Sequence, residues 1–181
     1  PSLLEIVKSK VGQNDNMEIN PLHFEFRIEA ITLIKGQVRN AKVFYVKQKG
    51  ELEEGWGLAN KKGPKIYILS FNKEVIYVGI TKQPLLTRFR QGLTATGENG
   101  YHGYRWKELA NKGKSKPISL FVYKFDNEER TEAIEAEVGY LIRDKTNEWP
   151  KYQTEIDFHQ ANKEEILIAK QIYDQVFAES K

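Results

Sequence analysis

The chain has 181 residues, 40% of them apolar and 29% charged, with a formal net charge of +3 spread over both signs. That content fills one solid core with room for a small accessory lobe, and it argues against wholesale disorder. The absence of cysteine removes disulfides, zinc–thiolate sites and thiol nucleophiles, and the lack of a long apolar run or a signal-like start makes a cytoplasmic protein the expectation.

Ser2-Leu3-Leu4-Glu5 has the capping-box pattern and predicts a short helix to about Val11. Gly12 to Asn20 is polar and breaks it. Phe24, Phe26, Ile28 and Ala30 alternate with His23, Glu25, Arg27 and Glu29, which predicts a strand with one wet face. Val43 to Lys47 reads as its neighbour, and Gly50 to Gly63 as a loop holding Trp56. Lys65-Ile66-Tyr67-Ile68-Leu69 and Val75-Ile76-Tyr77-Val78-Gly79 then predict an antiparallel hairpin, with Asn72-Lys73 at the tight turn. Its two tyrosines, ten positions apart, can end up side by side near one face. Taken alone, they read more simply as half-buried strand tyrosines.

Pro84 suits the first turn of a helix whose apolar stripe is Leu85, Leu86 and Phe89, with Arg88 flanking it. Thr94 to Gly103 reads as a glycine-rich loop, Tyr104 to Asn111 as a short helix and Ile118 to Phe125 as a third strand. Residues 128 to 145 predict a helix with Ile134, Val138, Leu141 and Ile142 inward. Glu135 and Glu137 both fall at the edges of that stripe, and periodicity does not choose between them. Asn162-Lys163-Glu164-Glu165 caps a last helix, with Ile166, Ala169, Ile172, Tyr173 and Val176 expected inward. Lysines and arginines gather around the hairpin and the arginine helix, interleaved further on with Tyr101, Tyr104 and Trp106. A groove that tracks phosphates needs that mixture.

Lys65-Ile66-Tyr67, Tyr77-Val78-Gly79 and the series Gly79, Thr81, Leu85, Arg88 together resemble the GIY-YIG endonucleases. The resemblance spans roughly residues 63 to 159 and extends to Glu137, at the place of the family's helix glutamate. It also takes in Gln153, which follows Pro150 where the family usually has asparagine. Lys65 replaces the family's first glycine. Gly92 stands where many members carry histidine or tyrosine, and His102, with Tyr104 second, is the candidate to supply that group.

The resemblance implies an α+β fold: a GIY-YIG-like core with a small antiparallel sheet of about three strands flanked by helices. An N-terminal α/β extension (residues 1–62), the nuclease core (63–159) and a C-terminal helix (160–181) complete the expected organisation. It implies a divalent-metal-dependent endonuclease acting on DNA, of restriction or mobile-element type, using Mg2+ or Mn2+ held by Glu137. Tyr67, Tyr77, Arg88, His102, Glu137 and Gln153 would be catalytic, with Tyr67 the preferred base. Lys82, Arg90, Tyr104 and Arg105 would contact DNA. Cutting both strands would call for a homodimer. The alternatives are a structure-specific repair nuclease and a non-catalytic nucleic-acid-binding module on the same fold.

Overall fold

The computed structural model describes residues 22–34, 37–47, 50–94, 118–153 and 159–178. The expected helices at 2–11 and 104–111 lie outside the described residues, as do His102, Tyr104 and Arg105. Six strands are described: β1 (Leu22–Ile34), β2 (Gln37–Val46), β3 (Leu52–Glu54), β4 (Lys65–Phe71), β5 (Glu74–Thr81) and β6 (Ile118–Lys124). The helices are α1 (Leu85–Thr94), α2 (Glu128–Thr146) and α3 (Lys163–Ala178). A 3-10 turn at Gly57–Asn60 precedes β4.

The fold is α+β, as expected, but the sheet is larger than three strands. All six form one antiparallel sheet in the order β3-β2-β1-β6-β4-β5. The cause is β1. It pairs with β6 along Leu22 to Ile28, so the N-terminal strands extend the same sheet rather than standing apart from it. The alternation anticipated in β1 holds, with Phe24, Phe26 and Ile28 buried.

The sheet is covered on both faces. On one, Phe24, Phe26, Ile28, Tyr67, Leu69 and Tyr77 pack with Leu85 and Phe89 of α1. Trp56 bridges the strands and this helix, its ring centroid 5.3 Å from Phe26 and 5.7 Å from Phe89. On the other face, Ile66, Ile68, Val78, Phe121 and Tyr123 pack with Ile134, Val138 and Ile142 of α2 and Ile168, Ile172 and Val176 of α3.

The helix ends follow their caps. Asn127 Oδ1 accepts the Arg130 N–H at 2.9 Å and starts α2. Asn162 Oδ1 accepts the N–H groups of Glu164 and Glu165, while Glu165 Oε2 accepts the Asn162 N–H, a reciprocal capping box. The cap falls where the sequence placed it, and packing sets which residues turn inward. Ile168 turns inward with Ala169, Ile172 and Val176, whereas Ile166, expected inside, is left 41% exposed.

The hairpin turn falls at Asn72-Lys73, with φ of 54° and 67°. Positive φ at both central residues is the type I′ turn, whose twist matches the flanking strands. Two residues further on the register changes. Ser70 faces Val75, but Leu69 faces Tyr77, so Ile76 is an extra residue in β5. Lysine in the left-handed region carries a steric cost that glycine does not. Lys73→Gly should therefore raise stability by about 0.5–1 kcal/mol in urea unfolding. A neutral or destabilising result would count against this turn geometry.

Candidate active site

The bulge decides which face the second tyrosine occupies. With a two-residue turn and no bulge, Tyr77 would oppose Ile68 and point to the α2 face. The extra residue moves it opposite Leu69, on the face of Tyr67, and Tyr67 itself then pairs with Gly79. The two phenol rings stack with centroids 5.8 Å apart. Gly79 makes room for them. A Cβ there would lie 2.6 Å from Tyr77 Cε1 and 2.9 Å from Tyr67 Oη.

Arg88 reaches this pair from α1. Leu86 N–H, at the helix start, donates to Asn60 Oδ1 at 3.0 Å, and Arg88 N–H donates to the Pro84 carbonyl at 3.1 Å. Leu85 and Phe89 anchor the buried side of the helix, so Arg88, three residues after Leu85, lies at the margin of that stripe. Its Nε donates to Tyr67 Oη at 2.8 Å. Hydrogen bonds also link Arg88 to Tyr77 and the two phenols to each other. The sequence thus named three side chains that the fold brings into one cluster.

The two phenols are buried and Arg88 is half-buried, which governs the electrostatics of the cluster. Desolvation pushes the Tyr67 phenol well above the ordinary tyrosine value; Tyr77 adds to the rise, and Arg88 opposes it. Tyr67 is therefore a protonated hydroxyl near neutral pH in this arrangement, not a ready base. Desolvation works against the Arg88 cation too, but the two phenols outweigh it and hold that guanidinium above its ordinary value.

The remaining expected residues lie around this centre. Gln153 Oε1 accepts the Val78 N–H at 3.2 Å, and Tyr152 N–H donates to the Ile76 carbonyl at 2.8 Å. The segment after Pro150 therefore runs along the open edge of β5 and ties down the bulge. Lys82 is exposed and pairs with Glu128 at 2.6 Å; at an exposed site such a pair contributes little. Arg90 is exposed on α1.

Glu135 and Glu137 point to opposite sides of α2, about 200° apart at 3.6 residues per turn. Glu137 shares its flank with Ala133 and Leu141. Arg130, on the same flank, pairs with Glu164 of α3, and Ala133 lines a cleft with Asn162 and Glu165, so this flank faces α3. α2 itself packs on β5 and β4, while α3 joins the apolar cluster that includes Phe121 and Tyr123 of β6. Glu128, on the flank opposite α3 with Thr131, Glu135 and Gly139, pairs with Lys82 just past the end of β5, so that flank lies toward β5. Both glutamates are half-buried.

Reading the sequence missed three contributors. Gly79 was seen as a motif residue but not as the gap beneath two rings, and the bulge at Ile76 left no sign in composition. Lys65, seen only as a departure from the family pattern, is fully buried; its Nζ donates to the carbonyls of Gly63 at 2.8 Å and Gln83 at 2.9 Å. Comparison of the chain with family models, curated proteins and solved structures finds no match.

Gly79→Ala should displace both phenols, because the new methyl meets ring atoms and not the far end of a flexible chain. The expected cost is about 1–3 kcal/mol of stability, with loss of the Tyr67–Arg88 bond. Urea unfolding and the tyrosine hydroxyl NMR signals check this; a variant as stable as wild type with unchanged signals would contradict the packing.

Proposed function

We propose that the chain is a divalent-metal-dependent endonuclease hydrolysing DNA phosphodiester bonds. The observation that carries this reading is the Arg88–Tyr67–Tyr77 cluster, an arginine fork and two phenols that the motif spacing had already singled out. Phosphodiester hydrolysis needs an oriented phosphate, an activated water and charge stabilisation on the leaving side. The arginine fork suits a phosphate, and its tie to Tyr67 limits how the guanidinium can turn. Tyr67 acts here as an orienting hydroxyl, given its high phenol, and Tyr77 hydrogen-bonds beside it.

Magnesium or manganese would supply charge stabilisation and lower the pKa of a bound water. Magnesium binds through few carboxylates and keeps its own waters, so one glutamate is an adequate anchor. Among the described residues no group of three or more metal-ligating side chains converges, and a one-carboxylate site requires none. The motif assigns this role to Glu137, but the phase of α2 favours Glu135, on the flank toward the β5 edge. Exposed Lys82 and Arg90, with Tyr104 and Arg105, are the proposed contacts to the DNA backbone. Restriction-type or mobile-element-type cutting of both strands calls for two copies of the site, hence a homodimer.

The buried, protonated Tyr67 favours one second reading, a nucleic-acid-binding module without catalysis. Incubation with supercoiled plasmid in magnesium separates the two. On the nuclease reading wild type cuts, Arg88→Ala and Glu135→Ala lose at least about 100-fold in rate with DNA affinity kept within a few fold, and Glu137→Ala retains most activity. Loss with Glu137→Ala instead would return the metal to that residue. Binding without any cutting in magnesium or manganese would establish the module.

A further inference from the structure

Lys65 is the most unusual charged residue described. It is fully buried at the first position of β4, where its Nζ meets two backbone carbonyls and, among the described residues, no carboxylate. Those carbonyls belong to different segments. Gly63 precedes β4, and its N–H donates to the Lys82 carbonyl at 3.0 Å; Gln83 lies in the turn that leads from β5 into α1. One side chain thus joins the start of β4 to the point from which the Arg88 helix begins.

We propose that Lys65 is a positioning residue for Arg88: by tying Gly63 to Gln83 it fixes the turn that starts α1 and so sets the reach of Arg88 to Tyr67. Its meaning for catalysis rests on the nuclease reading; its meaning for the geometry does not.

The chemistry of the clamp favours the neutral amine. Two carbonyls match the two N–H donors of –NH2, whereas an ammonium brings a third donor and a full charge into a buried place. Of the charged groups nearby, Lys124 makes protonation harder. Lys124 of β6 is its cross-strand partner, and Lys82 lies in the clamped turn, already paired with Glu128 of α2. Desolvation first and Lys124 second lower the Lys65 pKa from 10.5 to about 8. The sign follows. Unclamped or unfolded, the lysine titrates near 10.5, so protons favour its release. The clamp is under load below about 8, and it tightens as the pH rises from about 8 toward 10.5.

The test uses labelled full-length wild type, Lys65→Met and Lys65→Arg. In wild type the 13Cε shift of Lys65 should titrate within about one unit of pH 8, and the Arg88 15Nε shift should follow the same midpoint. In Lys65→Met the Arg88 shift should lose that midpoint, and amide exchange at Leu86 to Arg88 should rise about tenfold, with partial return in Lys65→Arg. Plasmid cutting by Lys65→Met should fall about tenfold in kcat with DNA affinity within twofold. Titration of Lys65 with ordinary lysines near 10.5, or an Arg88 shift that ignores it, overturns the proposal even if the methionine variant fails to fold. Altered exchange and shifts in proteins that never cut DNA would uphold the clamp and remove the nuclease reading instead.

Discussion

With one extra residue at Ile76, β5 changes the phase of its pleat and presents Tyr77 on the face that already carries Tyr67. Everything at the candidate site depends on that shift. It sets Tyr67 opposite Gly79, where a side chain would collide with both rings, and it leaves the two hydroxyls within reach of a single arginine. A bulge on an edge strand also breaks the ladder and exposes backbone groups. The segment after Pro150 covers them, with the Ile76 carbonyl accepting from Tyr152 and the Val78 N–H donating to Gln153. The register irregularity and its cover form one unit, assembled from residues some 75 positions apart.

Two cations lie near this unit, Lys65 fully buried and Arg88 half-buried, and each is treated differently. Arg88 meets polarisable phenols that accept its hydrogen bonds and hold its charge in place. Lys65 is desolvated and, among the described residues, meets two carbonyls and a second lysine, so its charge is disfavoured. Guanidinium is weakly hydrated and planar and tolerates loss of water; a compact ammonium gives up its proton more readily than an exposed lysine does. The result is a permanent positive charge at the phenols and a titratable one at the base of the helix that carries it.

The N-terminal strands serve the site through packing. Phe26 supports Trp56, and Trp56 supports Phe89 of α1, so the helix bearing Arg88 rests on side chains from β1 as well as on the hairpin. Asn60, just before β4, satisfies an amide at the start of the same helix. Residues before the motif-bearing segment thereby hold one of its three central side chains in position.

The sequence alone was sufficient for whatever depends on neighbours within a few positions. Strand alternation in β1, the turn at Asn72-Lys73, the caps at Asn162 and the stripe of α1 are local, and each was legible. So was the grouping of Tyr67, Tyr77 and Arg88, because motif spacing encodes it. Only the tertiary structure decided the rest. The pairing of β1 with β6 joins residues about a hundred positions apart, and no period in the chain announces it. The face of Tyr77 turned on one bulged residue, and the exposure of Ile166 on how α3 packs against the sheet and α2. The side on which Glu135 or Glu137 lies depended on where α3 packed against α2, and the state of Lys65 on two carbonyls brought to it by a turn. In each case the deciding energy is the desolvation or packing of groups far apart in sequence, which local pattern does not contain.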